Sequence, residues 1–136
     1  MFNLHVLALL LIISTVICQA SLTASQIAKV HEHAVPCQEK FGIPASWHLE
    51  ERAEDGDLTL VDDRFKKFSF CVLSRMDLVD GRGNLRPDTI SKYMSDGHDI
   101  STLPGMLDEC SLKKGTPEDK SFYFYQCYFK QHVFKI

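Results

Sequence analysis

The chain has 136 residues, with 15 Lys and Arg against 18 Asp and Glu, and 45% of it is hydrophobic. A net charge of −3 with both signs interspersed excludes the basic face that nucleic acid demands. The length suits a single domain.

In chain order, Met1 to Ala20 come first, with the apolar run Val6 to Val16 (VLALLLIISTV) followed by Cys18 and Ala20. This reads as a secretory signal peptide cleaved after Ala20. The run is too short to span a hydrocarbon layer of about 30 Å. Cleavage removes Cys18 and leaves Ser21 to Ile136 as the expected secreted, extracellular domain, with no stable membrane insertion. Four cysteines remain, Cys37, Cys71, Cys110 and Cys127. In an oxidising compartment they pair, and four cysteines allow three connectivities that spacing alone does not separate.

Helix signals then dominate. Thr23-Ala-Ser-Gln26 is a capping box, with Leu22 placed to staple against Ile27. Ile27, Val30 and Ala34 share one face of a first helix, which Pro36 should kink or restart just before Cys37. After the break at Gly42-Ile43-Pro44, a second short helix is predicted from Ala45 to about Arg52. Asp62 caps a third, carrying Phe65, Phe68, Val72, Met76 and Val79 at helical spacing. Asp80-Gly81-Arg82-Gly83-Asn84 is a turn. Pro87 and Asp88 open a fourth helix with Ile90, Tyr93 and Met94 inward and Gly97 as its stop. A fifth should run from about Thr102 to Lys113, burying Leu103, Met106, Leu107 and Cys110. Phe122-Tyr-Phe-Tyr125 has the composition of a strand. Thr116-Pro117-Glu118-Asp119 nevertheless reads as a helix opening, with Phe122, Tyr125, Phe129 and Val133 on one face of a sixth helix.

No chemistry-bearing constellation emerges. There is no Cys-x2-Cys pair for a metal, and His31 and His33, two apart, do not share a helix face. No G-x-S-x-G and no phosphate loop is present. His98-Asp99 lacks the glycine-rich calcium loop and flanking cysteines that a small phospholipase would need. Nothing points to an enzyme or a cofactor. The aromatic and methionine content instead suits an apolar interior, since half of the Phe, Tyr and Trp residues lie from Phe122 onward. Methionine adapts to irregular shapes, and tyrosine carries a polar tip on an apolar body. Composition alone is better met by a solid core, as in a secreted helical interaction protein of venom or saliva.

The framework C-x33-C-x38-C-x16-C, in a helical chain behind a signal peptide, resembles the insect odorant-binding proteins (the PBP/GOBP type), specifically their four-cysteine "minus-C" branch. Six-cysteine members carry further cysteines where this chain has Lys67 and Glu118. The resemblance implies an all-α fold of six helices, stapled by disulfides Cys37–Cys71 and Cys110–Cys127 around an apolar cavity. It implies a carrier that solubilises odorants, pheromones or similar small hydrophobic molecules, or non-olfactory lipids and hormones. Phe68, Val72, Met76, Ile90, Met94 and Leu107 are the expected wall residues on one side, with Phe122, Tyr125 and Phe129 opposite. Val133, Phe134 and Ile136 are expected to fold back as a lid. Lys67 and Glu118 are candidates for an ion pair in place of the third bridge. The histidines His31, His33, His98 and His132 are candidates for acid-triggered release. The resemblance leaves room for a homodimer and for contact with an olfactory receptor.

Overall fold

The computed structural model describes residues 22–54, 59 and 62–131, the side chains of residues 53, 54 and 129–131 excepted. The Met1–Ala20 leader and the tail with Val133, Phe134 and Ile136 lie outside the described residues. Among those described, the chain forms six α-helices and no strand: α1 (Ala24–Lys40), α2 (Leu49–Glu54), α3 (Asp63–Arg75), α4 (Pro87–Met94), α5 (Leu103–Glu109) and α6 (Pro117–Gln131). None is long and apolar enough to cross a membrane.

The predicted caps form. The Gln26 amide donates to Thr23 Oγ1 at 3.2 Å, and the Thr23 amide donates to Gln26 Oε1 at 2.9 Å, so two otherwise unpaired helix donors satisfy each other's side chains. Asp62 accepts from the amides of Arg64 and Phe65 at the head of α3. At α6, the Asp119 amide donates to Thr116 Oγ1 and the Thr116 hydroxyl to Asp119 Oδ2, at 3.1 and 2.8 Å.

Four features differ from expectation. Pro36 does not restart α1, which runs through it. Ala34 and Cys37 on either side are fully buried, so packing holds the turn that proline weakens. The second predicted helix is divided: a 3₁₀ turn at Ala45–Trp47 is separated from α2 by His48, whose φ of 49° is left-handed. The third helix stops at Arg75 and never reaches Val79. Met76 caps it, Asp77 turns left-handed at φ 59°, and Val79 pairs instead with Leu85 in an isolated antiparallel bridge. The fifth is shorter than predicted, with Cys110 as its C-cap.

The bridge is closed by the Asp80–Asn84 turn, where the amides of Arg82 and Asn84 donate to Asp80 Oδ1 at 2.8 and 2.9 Å. Gly83 requires its lack of a side chain twice over. Its φ is +76°, and a Cβ there would stand 2.7 Å from the Pro117 backbone, which is below any real contact. The turn is thereby seated against the first turn of α6.

α3 is the central helix, packing most extensively on α6 and then on α1. Two disulfides hold this arrangement. Cys37–Cys71 ties α1 to α3 across a separation of 34 residues, and Cys110–Cys127 ties the end of α5 to α6 across 17. By the entropy of loop closure, bridges of these spans contribute about 4 and about 3 kcal/mol.

Candidate functional site

A cavity of about 150 Å³ lies between the helices, neither sealed nor a surface groove. α3 forms its long wall. Phe65, Phe68, Ser69, Val72, Leu73 and Met76 all reach it, because i, i+3, i+4, i+7 spacing lays one stripe along the helix. α1 adds Val30 and Ala34, with Leu22 just ahead of its cap. α2 adds Leu49 and Glu50, and α4 adds Ile90, Tyr93 and Met94. Leu78, Met106, Phe124, Tyr125 and Tyr128 complete the wall.

Of the residues expected to form the wall, Phe68, Val72, Met76, Ile90, Met94 and Tyr125 come together there. Leu107 and Phe122 do not. Both are buried, but α5 presents Met106 to the cavity in place of Leu107, and α6 presents Phe124, Tyr125 and Tyr128. Phe122 packs instead edge-on against Phe65, with ring centroids 5.3 Å apart at 87°. Phe129 belongs to α6, but its side chain lies outside the described residues, as does the whole of Phe134. Sequence reasoning missed Leu22, Leu49, Glu50, Ser69, Leu73, Leu78, Phe124 and Tyr128 as wall residues, and read Val30, Ala34, Phe65, Tyr93 and Met106 only as inward-facing or buried. Only the stripe on α3 carried a signal, since Ser69 is one turn after Phe65. Leu78 lies beyond the helix, where periodicity has nothing to say.

The wall is almost wholly apolar because its polar atoms are turned elsewhere. Ser69 Oγ donates to the Phe65 carbonyl at 2.9 Å, and the Tyr93 hydroxyl to the Gln26 carbonyl at 3.1 Å. Burial pushes the Tyr93 hydroxyl up to about 12, with Asp96 adding to the effect, and raises Tyr128 further for the same reason. Both phenols therefore stay neutral at physiological pH. Glu50 is the exception in charge. Its carboxylate is drawn to His31 on α1, Nδ1 to Oε2 at 2.8 Å.

Behind this wall sits a buried amide, Gln26, only 2% exposed. Its Nε2 donates to the carbonyls of Tyr93 and Asp96, at 2.9 and 3.2 Å, and its Oε1 faces His98 Nε2 at 3.1 Å. Together with the Thr23 amide, these contacts use the full hydrogen-bonding capacity of the side chain and join the head of α1 to the end of α4. The expected Lys67–Glu118 pair does not form among the described residues. One residue along on each helix, Lys66 Nζ meets Asp119 Oδ1 at 3.2 Å. Asp119 is held below the usual carboxylate range, first by the Thr116 hydroxyl and then by Lys66. No group of three potential ligands that could hold a metal is found among the described residues.

Comparison with known proteins decides the lineage. Residues 19–131 match the family described as the PBP/GOBP family. The chain belongs to that family. It is 23% identical over 104 residues to odorant-binding protein 10 of the mosquito Aedes aegypti, covering 76% of this chain and 74% of that one. The B1 protein of the mealworm Tenebrio molitor is 24% identical over 111 residues, 81% and 83% of the two chains. Among solved structures, the fatty acid binding protein OBP56a from the oral disk of the blowfly Phormia regina superposes with a TM-score of 0.64 at 20% identity, covering 82% of this chain and 95% of that one. The THP12 carrier protein of the yellow mealworm gives 0.52 at 26% identity, covering 71% and 87%. The PBP/GOBP relatives and neighbours are binding and carrier proteins. The all-helical frame is the one those solved structures share.

Proposed function

We propose that the protein is an extracellular carrier that takes up small hydrophobic molecules in the α3-walled cavity and solubilises them in a secretion. The observation that carries this reading is the cavity itself, an apolar volume of about 150 Å³ at the centre of a PBP/GOBP frame. A solid-core interaction protein would leave no such space, because interiors otherwise pack to crystal density. Burying an apolar guest there returns roughly 25 cal/mol per Å² of its surface. A cavity of this size in another protein stays dry and binds benzene, which sets the scale of guest that fits without rearrangement. The Met1–Ala20 leader and the paired cysteines support secretion. The Lys66–Asp119 pair, close to where six-cysteine relatives hold a third bridge, is consistent with the four-cysteine branch. Phe68, Val72, Met76, Ile90, Met94 and Tyr125 are the ligand contacts in this reading.

Uptake of a fluorescent apolar probe by the purified protein, followed by its displacement with neutral alcohols and esters, tests the proposal. Saturable uptake near one probe per chain is expected. Absence of uptake by a folded, fully bridged protein would remove it. Native mass spectrometry of protein taken from its own secretion would report the cargo and the number of bridges together.

A further inference from the structure

Every methionine outside the Met1–Ala20 leader lines one space. The chain has four, and Met76, Met94 and Met106 reach the cavity from three different elements: the C-cap of α3, the last residue of α4 and the middle of α5. They are 7%, 4% and 4% exposed, so a reagent in the bulk solvent meets almost nothing of them from outside. The cavity is the way in, since it is not sealed. One water needs about 10–15 Å³ of such space, so about 150 Å³ admits a molecule of hydrogen peroxide with room to turn.

Thioethers are also the groups such a reagent would find. The four cysteines of the expected secreted chain are tied into two disulfides, so no thiolate competes for a peroxide. The step is a two-electron transfer from sulfur. A lone pair on Sδ attacks one peroxide oxygen, and the S–O bond forms as the O–O bond breaks. The leaving hydroxide takes the proton of the transferred oxygen and departs as water. Sulfur is oxidised, the peroxide is reduced, and no other reactant is needed.

The product does not suit its surroundings. A sulfoxide is polar, whereas Ser69 and Tyr93 already spend their hydroxyl protons on the Phe65 and Gln26 carbonyls. Tyr125 and Tyr128, the other phenols of the wall, pack their rings against Phe65 and Phe124, so re-aiming either hydroxyl disturbs a ring pair. Water drawn in to the new S–O groups would solvate them instead, and an apolar guest would then have to strip that water away.

We propose that Met76, Met94 and Met106 form an oxidation site inside the cavity, where a small peroxide that enters in the absence of a guest converts the thioethers to sulfoxides and so switches off the uptake of apolar molecules. A bound guest fills the same space and shields them. The proposal rests on the carrier reading and adds a chemical limit on how long an empty carrier stays competent.

The bridged secreted chain, treated at pH 7 with dilute hydrogen peroxide in the presence and absence of hexanol, tests it by peptide mapping and by calorimetric titration with hexanol. Oxygen should appear on the three methionines of folded protein. With hexanol at about ten times its dissociation constant, the rate should fall roughly tenfold, because only the empty form reacts. Low urea, well short of the unfolding transition, should leave the rate unchanged. A rate that climbs with urea in step with unfolding would place the reaction in unfolded chains and overturns the proposal. Folded protein left unoxidised, under conditions that oxidise it in full denaturant, overturns it too. Hexanol affinity of the oxidised, still helical protein should be weaker by about tenfold or more. A combined Met76→Leu, Met94→Leu, Met106→Leu variant, nearly matched in volume, is compared with itself before and after peroxide and should show no loss. A loss equal to that of the native chain overturns the role of the thioethers. Met76→Leu and Met106→Leu singly, which ask less of the fold, should each lessen the loss. If hexanol does not bind the untreated chain, the carrier reading falls and the shielding goes with it. If it binds and oxidation leaves its affinity unmoved, the carrier stands and this inference alone fails.

Discussion

Where α3 meets α6, Phe65 is gripped by rings, with Phe122 and Tyr125 edge-on at 5.3 and 5.2 Å and Phe68 stacked at 6.1 Å. Elsewhere the wall includes Met76, Ile90, Met94 and Met106, which are unbranched or aliphatic chains with no fixed partner geometry. Apart from the half-buried Tyr125, both regions are hidden from water, yet they are built for opposite purposes. The aromatic corner fixes two helices at one distance and angle, since ring pairs add about 0.5–1.5 kcal/mol beyond area and only in preferred orientations. The methionine side can re-pack around a guest at small cost. Burial alone therefore does not separate scaffold from binding surface here; the stiffness of the side chains does.

The sharpest way to break this contrast is to truncate each side. Phe65→Ala should cost about 4–5 kcal/mol in urea unfolding, whereas Met106→Ala, on the side that can re-pack, should cost about 2–3 kcal/mol. Equal losses would show that the two regions do not differ. The bridges come next in size: removing Cys37–Cys71 should cost about 4 kcal/mol and removing Cys110–Cys127 about 3 kcal/mol, since the closed loops differ in length. The reverse order would mean that the native contacts around each bridge outweigh chain entropy. Gly83→Ala should lose about 2 kcal/mol, because the left-handed φ and the Pro117 backbone both oppose a side chain. Thermal unfolding in the presence and absence of ligand would show whether that turn matters to the cavity.

Met94→Phe should fill the flexible side. The expected stability change is within about 1 kcal/mol, while hexanol affinity falls tenfold or more, roughly 1.4 kcal/mol. The smallest effect concerns acid. Asp119, Asp62 and Asp80 all titrate below the usual carboxylate range, so the stability they lend is present above an unfolded value near 3.8 and drains away as pH falls through their lower folded values. A melting midpoint followed from pH 5 to pH 2.5 should decline mainly below pH 4. Asp119→Asn should flatten that decline slightly.

Much of the frame was legible in the sequence because it is written locally. Thr23 with Gln26, Asp62, Pro87 and Thr116 with Pro117 are helix openings whose chemistry is complete within four residues. The stripe Phe68–Val72–Met76 could be read for the same reason, since one helix face is a local property. α6 resisted because Phe122 to Tyr125 places aromatics around the whole circumference, so composition does not say which side is inward. Contact with Phe65 and the tie from Cys127 to Cys110 choose the rotation, and those partners are 57 and 17 positions away. Leu49 and Glu50 were hidden for a different reason. His48 adopts a left-handed conformation that few residue types favour, and it re-aims the short helix after it. The ion pair was expected at Lys67 and Glu118 and appears at Lys66 and Asp119, a shift of about 100° around each axis that spacing along the chain does not resolve.

Gln26 and Thr23 carry a practical consequence for anyone handling this molecule. The Thr23 hydroxyl donates to Asp96, and its methyl group comes so near Gly97 that a Cβ there would be 2.8 Å away. The first described turn is thus clamped onto the far end of α4. Fusion partners, fluorophores or affinity handles attached upstream of Leu22 would leave the clamp intact. Proteolytic trimming by even two or three residues past that point would release α4, and with it the Tyr93 and Met94 side of the chamber. A preparation that has been nicked there should look folded by circular dichroism and still bind poorly.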